Sequence, residues 1–251
     1  MKILLTNDDG YNAPGILALY EVLNAAHEVL LIAPDREKSA VSHGISLNQP
    51  MRINKITLDS GKKGYGITGT PADCVKLGLF ELCPSPPDLI ISGINPGCNT
   101  GVDINYSGTV GAAREGALNR ILSMSVSIRK SDQIMDLQGM SRFVAGLSEK
   151  IFEFELPPGT FLNINAPDIP IDGVQGVRIT RQAQDNVSIQ FEKRVDPKNR
   201  FYYWYGDVNR VMGETDTDVN ALSQNYISIT PIQCDITDYP TMRKLSSLQL
   251  P

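Results

Sequence analysis

The chain begins Met1-Lys2-Ile3-Leu4-Leu5-Thr6-Asn7-Asp8-Asp9-Gly10, and this stretch decides both the fold and the position of the site. The apolar run at residues 3–5 predicts a buried strand, and the polar residues 7–10 have the composition of a turn. A helix signal begins at Pro14. We therefore predict the first strand of an open α/β sheet, with Asp8 and Asp9 at its carboxyl end, where such sheets bind their ligands.

The adjacent carboxylates of Asp8 and Asp9 suggest a cation site. Two like charges held side by side repel each other unless a proton or a cation intervenes. A hard divalent cation bound through oxygen is the natural partner. The same tetrapeptide is also typical of an ordinary polar turn, and on its own it leaves the two interpretations about even.

Composition limits the classes of protein that fit. With 251 residues, 41% of them hydrophobic, the chain can form one large domain or a core with an appendage. The net charge of −5 argues against binding a nucleic-acid polymer. The four cysteines form no Cys-x-x-Cys pair, which predicts reduced thiols and a cytoplasmic location. No apolar stretch is long enough to span a membrane, so we expect no membrane partner.

Apolar runs and helical spacing alternate through the first part of the chain. Further strands are predicted at residues 28–33, 88–92, 121–128 and 161–165, and helices at 15–26, 70–80, 108–118 and 135–154. Strands separated by helices imply crossover connections. The fold class predicted is therefore α/β, a three-layer α/β/α Rossmann-like core with a mainly parallel mixed sheet.

Beyond about residue 175 the pattern changes to short alternating segments with polar turns. Residues 177–180, 187–191 and 201–205 are interpreted as β-hairpin material that projects from the core, with turns at Asn186 and at 196–199. A last strand at 226–230 is expected to end at Pro231. We predict an α/β catalytic core at 1–182 and a hairpin and C-terminal segment at 183–251, which serves oligomerisation.

The aromatic run at residues 201–205 allows two interpretations. It could stack a nucleobase, or it could bury one face of a strand against the core or a partner subunit. Strand alternation favours the interface.

Two polar loops and a helix start supply further candidate residues. Ser39, after the second strand, and Asn95, after the strand at 88–92, are neutral oxygen donors. Two carboxylates with such oxygens would suit Mg²⁺ or Mn²⁺. Asn95 is also typical of a turn before Pro96, and Ser39 of an ordinary loop. His43 could donate to a substrate or be a solvated loop histidine.

The predicted helix at 108–118 starts with Ser107, Gly108 and Thr109. A helix N-terminus offers free N–H groups and the positive end of the helix dipole, and a glycine lets a phosphate approach closely. A simple serine cap explains the same residues. Beside an acidic metal site, phosphate binding becomes the better interpretation.

Several motifs, taken in order, resemble the SurE (survival protein E) family of 5′/3′-nucleotidases. They are Asn7-Asp8-Asp9-Gly10, Ala33-Pro34-Asp35-Arg36 with Ser39, Gly69-Thr70-Pro71-Ala72-Asp73-Cys74, Ser92-Gly93-Ile94-Asn95, Tyr106-Ser107-Gly108-Thr109, Leu162-Asn163-Ile164-Asn165 and Thr217-Asp218 before Tyr226. Motifs in this order extend over nearly the whole chain and are far more specific together than singly.

The resemblance implies a phosphomonoesterase that depends on a divalent metal and hydrolyses nucleoside 5′- and 3′-monophosphates through a metal-activated water. Some family members also cleave short polyphosphate. It implies one divalent cation per subunit, Mg²⁺ or Mn²⁺, on the ligands Asp8, Asp9, Ser39 and Asn95. The catalytic residues implied are Asp8 and Asp9, and the phosphate pocket implied is Asn99, Ser107, Gly108 and Thr109.

The resemblance also implies a homodimer or homotetramer that associates through the C-terminal hairpin region. Two alternatives remain. A receiver-like signalling domain also binds Mg²⁺ at an acidic pair, but it needs a phosphorylatable aspartate where this chain has Ser92-Gly93-Ile94-Asn95. A nucleotide-binding module without catalysis would carry the same binding residues.

Overall fold

The computed structural model describes residues 1–58, 61, 63–130, 135–184, 187–210 and 214–248, without the side chains of 187–189 and 207–210. The turn predicted at Asn186 lies outside the described residues.

The described residues form a nine-stranded mixed sheet and a separate two-stranded antiparallel hairpin. In chain order the strands are β1 (Lys2–Thr6), β2 (Glu28–Pro34), β3 (Ile53–Thr57), β4 (Lys63–Ile67), β5 (Leu89–Pro96), β6 (Leu122–Ile128), β7 (Thr160–Ala166), β8 (Val177–Ile179), β9 (Val187–Val195), β10 (Phe201–Arg210) and β11 (Ile227–Gln233). The large sheet has the order β3-β4-β2-β1-β5-β6-β7-β11-β8. Its pairs are parallel except β3 with β4 and β7 with β11.

The helices cover both faces of this sheet. They are α1 (Pro14–Leu23), α2 (Pro71–Leu77), α3 (Gly108–Leu118), α4 (Leu137–Phe152), α5 (Asp218–Ser223) and α6 (Tyr239–Leu245). Short π and 3₁₀ turns occupy Gly78–Leu82, Gly101–Asn105 and Ile171–Gly173. Helix α1 packs on α4, and α2 packs on α3.

The central strand β1 separates two apolar cores. Ile3 and Leu5 belong to the core formed with α1 and α4, whereas Leu4 belongs to the core that contains residues of α2 and α3. Successive side chains of a strand point to opposite faces, so a strand covered on both faces must be apolar throughout. The predicted three-layer α/β/α fold with a mainly parallel mixed sheet is confirmed.

One predicted element is wrong in its placement. Residues 177–180 were expected to be part of a projecting hairpin, but Val177–Ile179 forms β8, an edge strand of the large sheet that runs parallel to β11. A three-residue strand carries too little alternation to show which sheet it joins. Strands β3 and β4 were not predicted at all.

Strand β11 also continues past its predicted end at Pro231. Strand β8 pairs only with residues 227–229, so beyond that point one edge of β11 is unpaired. Proline lacks an N–H group and is tolerated where a strand edge needs no donor. The segment after residue 183 thus contributes β11 to the large sheet as well as the hairpin. The division at residues 182 and 183 stays a prediction.

The separate hairpin of β9 and β10 closes through the turn predicted at 196–199. The carboxylate of Asp196 accepts the N–H groups of Lys198 and Arg200, at 2.8 and 2.9 Å. Asn199 adopts a φ of +60°, which asparagine tolerates better than most residues. No helix among the described residues has the length and apolar character needed to cross a membrane.

The start of α1 lies so close to the end of β5 that only glycine fits at position 15. A Cβ atom added to Gly15 would lie 2.0 Å from the carbonyl oxygen of Ile94. We expect Gly15→Ala to lower the free energy of unfolding by about 1–3 kcal/mol, because the backbone must move apart. Urea unfolding followed by circular dichroism measures this change.

Gly146→Ala provides a matched control inside α4, because a Cβ atom there would meet nothing within 4 Å. We expect this variant to be more stable by about 0.5–1 kcal/mol, from helix propensity alone. Equal stability of the two variants would contradict the close contact at Gly15.

Candidate active site

The candidate site lies at the topological switch point of the sheet. The chain passes from β1 through α1 to β2 on one side, whereas β5 pairs with the other side of β1. Helices that leave toward opposite faces open a crevice at the carboxyl ends of such strands. Asp8 and Asp9 follow β1 directly, and Asn95 lies at the end of β5.

A rigid turn holds the two carboxylates after β1. The buried side chain of Asn7 accepts the N–H of Gly10 at 3.1 Å and donates to its carbonyl oxygen at 3.0 Å. Gly10 has a φ of +102°, a conformation that side chains other than glycine rarely adopt. The turn signal in the sequence therefore corresponds to a defined structure that positions Asp8 and Asp9.

Asp8 is buried against the start of α3. The hydroxyl of Thr109 donates a hydrogen bond to Oδ1 of Asp8. A Cβ atom added to Gly108 would lie 3.0 Å from Cβ of Asp8, so the glycine permits this close packing. Burial raises the pKa of Asp8, and hydrogen bonds from the Thr109 side chain and from the backbone of Asp8 and Thr109 offset part of that rise.

The pKa of Asp9 is raised more than that of Asp8. Burial, followed by the charges of Asp8 and Glu37, raises its pKa from 3.8 to about 7, against the opposing effect of Lys130. Its Oδ2 atom is buried and finds no hydrogen-bond partner among the described residues. A buried carboxylate oxygen without a donor is costly, and a cation between Asp8 and Asp9 would remove that cost.

The loop after β2 brings Ser39 toward the same carboxylates. The N–H of Lys38 donates to the carbonyl oxygen of Asp8 at 2.7 Å. The hydroxyl of Ser39 donates to Oε1 of Glu37 at 2.5 Å. Glu37 thus adds a third negative charge, which no motif of the sequence indicates. It lies in a charged stretch at 35–38, where nothing in the sequence marks one residue from its neighbours.

Asn95 and Asn99 have different surroundings. Asn95 is half-buried, and its amide donates to the carbonyl oxygen of Gly97 at 2.7 Å within its own turn. The amide of Asn99 donates to Ser127 at 2.8 Å, and its backbone N–H donates to Asn165 at 2.8 Å. These bonds join Asn99 to β6 and β7 rather than to Asp8 or the start of α3.

Two of the predicted phosphate-binding residues at the start of α3 already make hydrogen bonds within the protein. Ser107 caps the helix, since its hydroxyl accepts the N–H of Val110 at 3.1 Å, and Thr109 bonds Asp8. The structure therefore brings Asp8, Asp9, Gly108 and Thr109 together, with Ser107 adjacent along the chain. Ser39 is connected to them through Lys38 and Glu37, and Asn99 bonds Ser127 and Asn165.

The donor set fits a hard cation only if neutral oxygens take part. Within the described ranges, no three side chains of His, Cys, Asp or Glu are grouped so that they could hold a metal ion. Two adjacent carboxylates, one with an unpartnered oxygen, still offer charge and ligands of the type that Mg²⁺ and Mn²⁺ prefer. The hydroxyl of Ser39 and the amide of Asn95 are the candidates to complete the set.

The raised pKa of Asp9 predicts how pH affects stability after metal is removed with a chelator. A carboxyl group with a folded pKa above its unfolded value stabilises the fold below about pH 3.8, and this contribution is lost as the pH rises through about 7. We expect the free energy of unfolding to fall between about pH 4 and pH 7, and Asp9→Asn to flatten that decline. Urea titrations in chelator measure both slopes, and equal slopes would contradict the assignment.

Comparisons with known proteins identify the relatives of this chain. The family model described as Survival protein SurE matches residues 3–189. The chain is 46% identical over 246 residues to "5'-nucleotidase SurE" of Desulfatibacillum aliphaticivorans, covering 98% of this chain and 97% of that protein. It is 42% identical over 252 residues to the protein of the same name from Syntrophobacter fumaroxidans, covering 100% of both.

A solved structure gives the same result for the fold. The SurE protein from Aquifex aeolicus superimposes with a TM-score of 0.85 at 35% sequence identity, over 98% of each chain. The family model spans most of the sequence, and these relatives match nearly its full length, so the chain belongs to the SurE family.

Proposed function

We propose that the chain is a divalent-metal-dependent phosphomonoesterase that hydrolyses nucleoside 5′- and 3′-monophosphates to nucleoside and phosphate. The observation that carries the proposal is the pair of buried Asp8 and half-buried Asp9, with Asp8 packed against the N-terminus of α3. An acidic pair suits a metal ion, and the adjacent helix start suits the phosphate. The printed names of the relatives, 5′-nucleotidase SurE, support the same reaction and substrate class.

The residues proposed to hold one Mg²⁺ or Mn²⁺ per subunit are Asp8, Asp9, Ser39 and Asn95. When bound, such a cation withdraws charge from the phosphate oxygens and lowers the pKa of a water molecule. Glu37 adds negative charge beside Asp8 and Asp9, which further favours a cation over an anion at this point.

The two aspartates differ in what their oxygens can do. Oδ1 of Asp8 is fixed by the hydroxyl of Thr109, so Asp8 is suited to hold a fixed geometry. Oδ2 of Asp9 has no hydrogen-bond partner among the described residues, so Asp9 has an oxygen that can accept a hydrogen bond from water. We propose that Asp9 orients the attacking water and accepts its proton.

The N-terminus of α3 is proposed to bind the phosphate. The first N–H groups of a helix have no partner within the helix, and they carry the positive end of its dipole. Ser107, Gly108 and Thr109 lie there, and Gly108 lets the start of the helix pack directly against Asp8. Donors fixed in this way would stabilise charge on the phosphate oxygens in the transition state. Asn99 is proposed to contribute from the loop after β5, where one N–H of its amide bonds Ser127.

The receiver-like alternative is not favoured. Strand β5, the neighbour of β1, continues through Ser92 to Pro96 without an aspartate. The relatives that match over the full length carry a nucleotidase name. Cleavage of short polyphosphate and a cytoplasmic location stay predictions.

The two aspartates provide the direct test of the proposed reaction. We expect Asp8→Asn and Asp9→Asn each to lower nucleotidase turnover by about 100-fold or more, because even losing an outer-shell partner of a metal can cost that much. Phosphate release from a panel of nucleoside monophosphates with Mn²⁺ or Mg²⁺ measures the effect, with bound metal determined in parallel.

Asp172→Asn serves as the control, since Asp172 is exposed in the short turn at Ile171–Gly173. It should retain wild-type turnover. Near-wild-type turnover and metal content in both site variants would exclude the proposed mechanism.

We also propose that the hairpin of β9 and β10 forms the interface of a homodimer or homotetramer. Register places Phe191, Val195, Phe201, Tyr203 and Tyr205 on one side of the hairpin, here called the aromatic face, together with Lys193, which lies over the ring of Phe201. The five apolar and aromatic side chains are between 50% and 69% exposed. An isolated two-stranded hairpin is marginally stable, and an exposed apolar patch of this kind is typical of an interaction surface.

Substitutions on the two faces of the hairpin separate this proposal from a general effect on folding. We expect Tyr203→Ser combined with Tyr205→Ser to reduce the oligomer to a smaller species, because the aromatic face loses apolar contact area. Glu192→Gln combined with Arg194→Gln changes the opposite face and should leave the mass unchanged. Light scattering coupled to size-exclusion chromatography measures the mass, and an unchanged mass in the tyrosine variant would contradict the interface.

A further inference from the structure

Residues 38–46, here called the Ser39 segment, run from the end of β2 across the start of α3 to α2. At its beginning the segment is tied to the acidic pair, since the N–H of Lys38 donates to the carbonyl oxygen of Asp8 at 2.7 Å. Ser39 follows directly. The position of its hydroxyl therefore depends on how the remainder of the segment is held.

The middle of the segment lies on α3 and the turn before it. The N–H of Ser42 donates to the carbonyl oxygen of Tyr106 at 2.9 Å, and its hydroxyl donates to that of Asn105 at 2.6 Å. A Cβ atom added to Gly111 would lie 2.6 Å from the carbonyl oxygen of Ser42. The segment and the helix are thus in direct backbone contact.

The far end of the segment is attached to α2. The hydroxyl of Thr70 donates to the carbonyl oxygen of Gly44 at 2.7 Å. The N–H of Ser46 donates to the carboxylate of Asp73 at 3.1 Å. The hydroxyl of Thr70 and the carboxylate of Asp73 also form the capping box at the start of α2.

Between these attachments lies one buried ionic cluster centred on Glu115 of α3. The side chain of Glu115 is only 5% exposed. It bonds Nε2 of His43 at 2.8 Å, Nζ of Lys76 at 2.8 Å and Nδ2 of Asn119 at 2.9 Å. Burial alone would raise its pKa, but these partners outweigh burial and lower it to about 2.

The backbone preferences of the residues in the Ser39 segment do not by themselves favour its conformation. Ala40 and Ser42 have φ angles of +56° and +55°, a region that residues other than glycine adopt at a cost of about 1 kcal/mol or more each. Such conformations persist where surrounding contacts fix them. His43 is the one side chain of the segment that reaches Glu115 in the hydrogen bonds of the described residues.

We propose that Glu115 is a positioning residue, which through His43 holds the Ser39 segment beside Asp8 and Asp9 and thereby sets the affinity of the site for its divalent cation. The inference rests on the proposed function, because it takes Ser39 as a ligand of that cation. Glu115 itself contacts neither the cation nor the substrate in this scheme. Its effect passes through the backbone between His43 and Ser39.

The test is Mn²⁺ binding measured by isothermal titration calorimetry on the full chain. We expect Glu115→Gln and His43→Ala each to weaken Mn²⁺ binding by about 10- to 100-fold, as loss of a residue that orients a metal ligand does. His43→Gln should restore most of the affinity, because its amide nitrogen can replace Nε2 as the donor to Glu115. Turnover at saturating Mn²⁺ should fall far less than affinity in His43→Ala.

Lys76→Gln is the matched control, since Lys76 bonds the same carboxylate from α2, outside the Ser39 segment. Its Mn²⁺ affinity should stay within about twofold of wild type, well below the effect expected of an orienting residue. Equal weakening by Lys76→Gln, or unchanged affinity in folded His43→Ala, would overturn the inference. Thermal unfolding shows which variants are folded. If Glu115→Gln does not fold, the His43 variants still test the inference, because the side chain of His43 is less buried than that of Glu115.

Two outcomes separate this inference from the proposed function. If the wild-type protein binds no Mn²⁺, or if Asp8→Asn binds Mn²⁺ with the same affinity as the wild type, the proposed metal site is wrong and the inference falls with it. Wild-type binding that Asp8→Asn abolishes, together with unchanged affinity in both His43→Ala and Glu115→Gln, would overturn the inference alone.

Discussion

The repulsion between two neighbouring carboxylates, taken out of water at the end of the central strand, is the constraint on which the structure depends. Placing a charge in the protein interior costs several kcal/mol unless other groups compensate it. Asp8 receives that compensation from the hydroxyl and backbone of Thr109 at the positive end of α3. Asp9 receives much less, and its oxygen stays without a donor among the described residues. The fold thus satisfies one carboxylate internally and leaves the other for an external charge.

The need to compensate the charge of Asp8 within the protein explains why a loop, a helix and two strands meet at one point. Helix α3 must begin beside Asp8, which requires a glycine at position 108. The loop from β2 must pass close enough for the N–H of Lys38 to reach the carbonyl oxygen of Asp8. Helix α1 must begin against β5, which requires Gly15. Each of these close approaches brings a polar backbone group or a helix end toward the same crevice.

Much of this arrangement could be predicted from the sequence, because the elements that form the centre have strong local signals. The helix predicted at 108–118 has the bounds of α3, since Ser107 is an evident cap. The meeting of Asp8 with the start of α3 follows from topology, because parallel strands end at one edge of the sheet. The SurE resemblance, carried by motifs in order, is confirmed over the full length.

What could not be predicted depends on contacts between segments far apart in the chain. Strand β4 was missed because Gly64 and Gly66 look like turn residues, and β3 was missed because it is a mostly exposed edge strand that pairs only with β4. A Cβ atom at Gly64 would lie 2.9 Å from the carbonyl oxygen of Leu31, and one at Gly66 would lie 3.0 Å from the ring of Tyr11, so both glycines permit close packing within a strand. Glu37 and the bond between Asn99 and Ser127 depend likewise on loop conformations that spacing does not encode.

The position of β11 in the sheet has a consequence for the order in which the protein is made. All residues of β7 are buried, and one edge of that strand is covered by β11, which follows it in the chain only after β8, β9, β10 and α5. During synthesis, β7 therefore has an open apolar edge, the kind of surface that favours aggregation, until β11 has been made. Asn163 and Asn165 of β7 hold the Asn99 loop. The loop after β5 is therefore held by a strand whose own edge is covered only by a much later part of the chain.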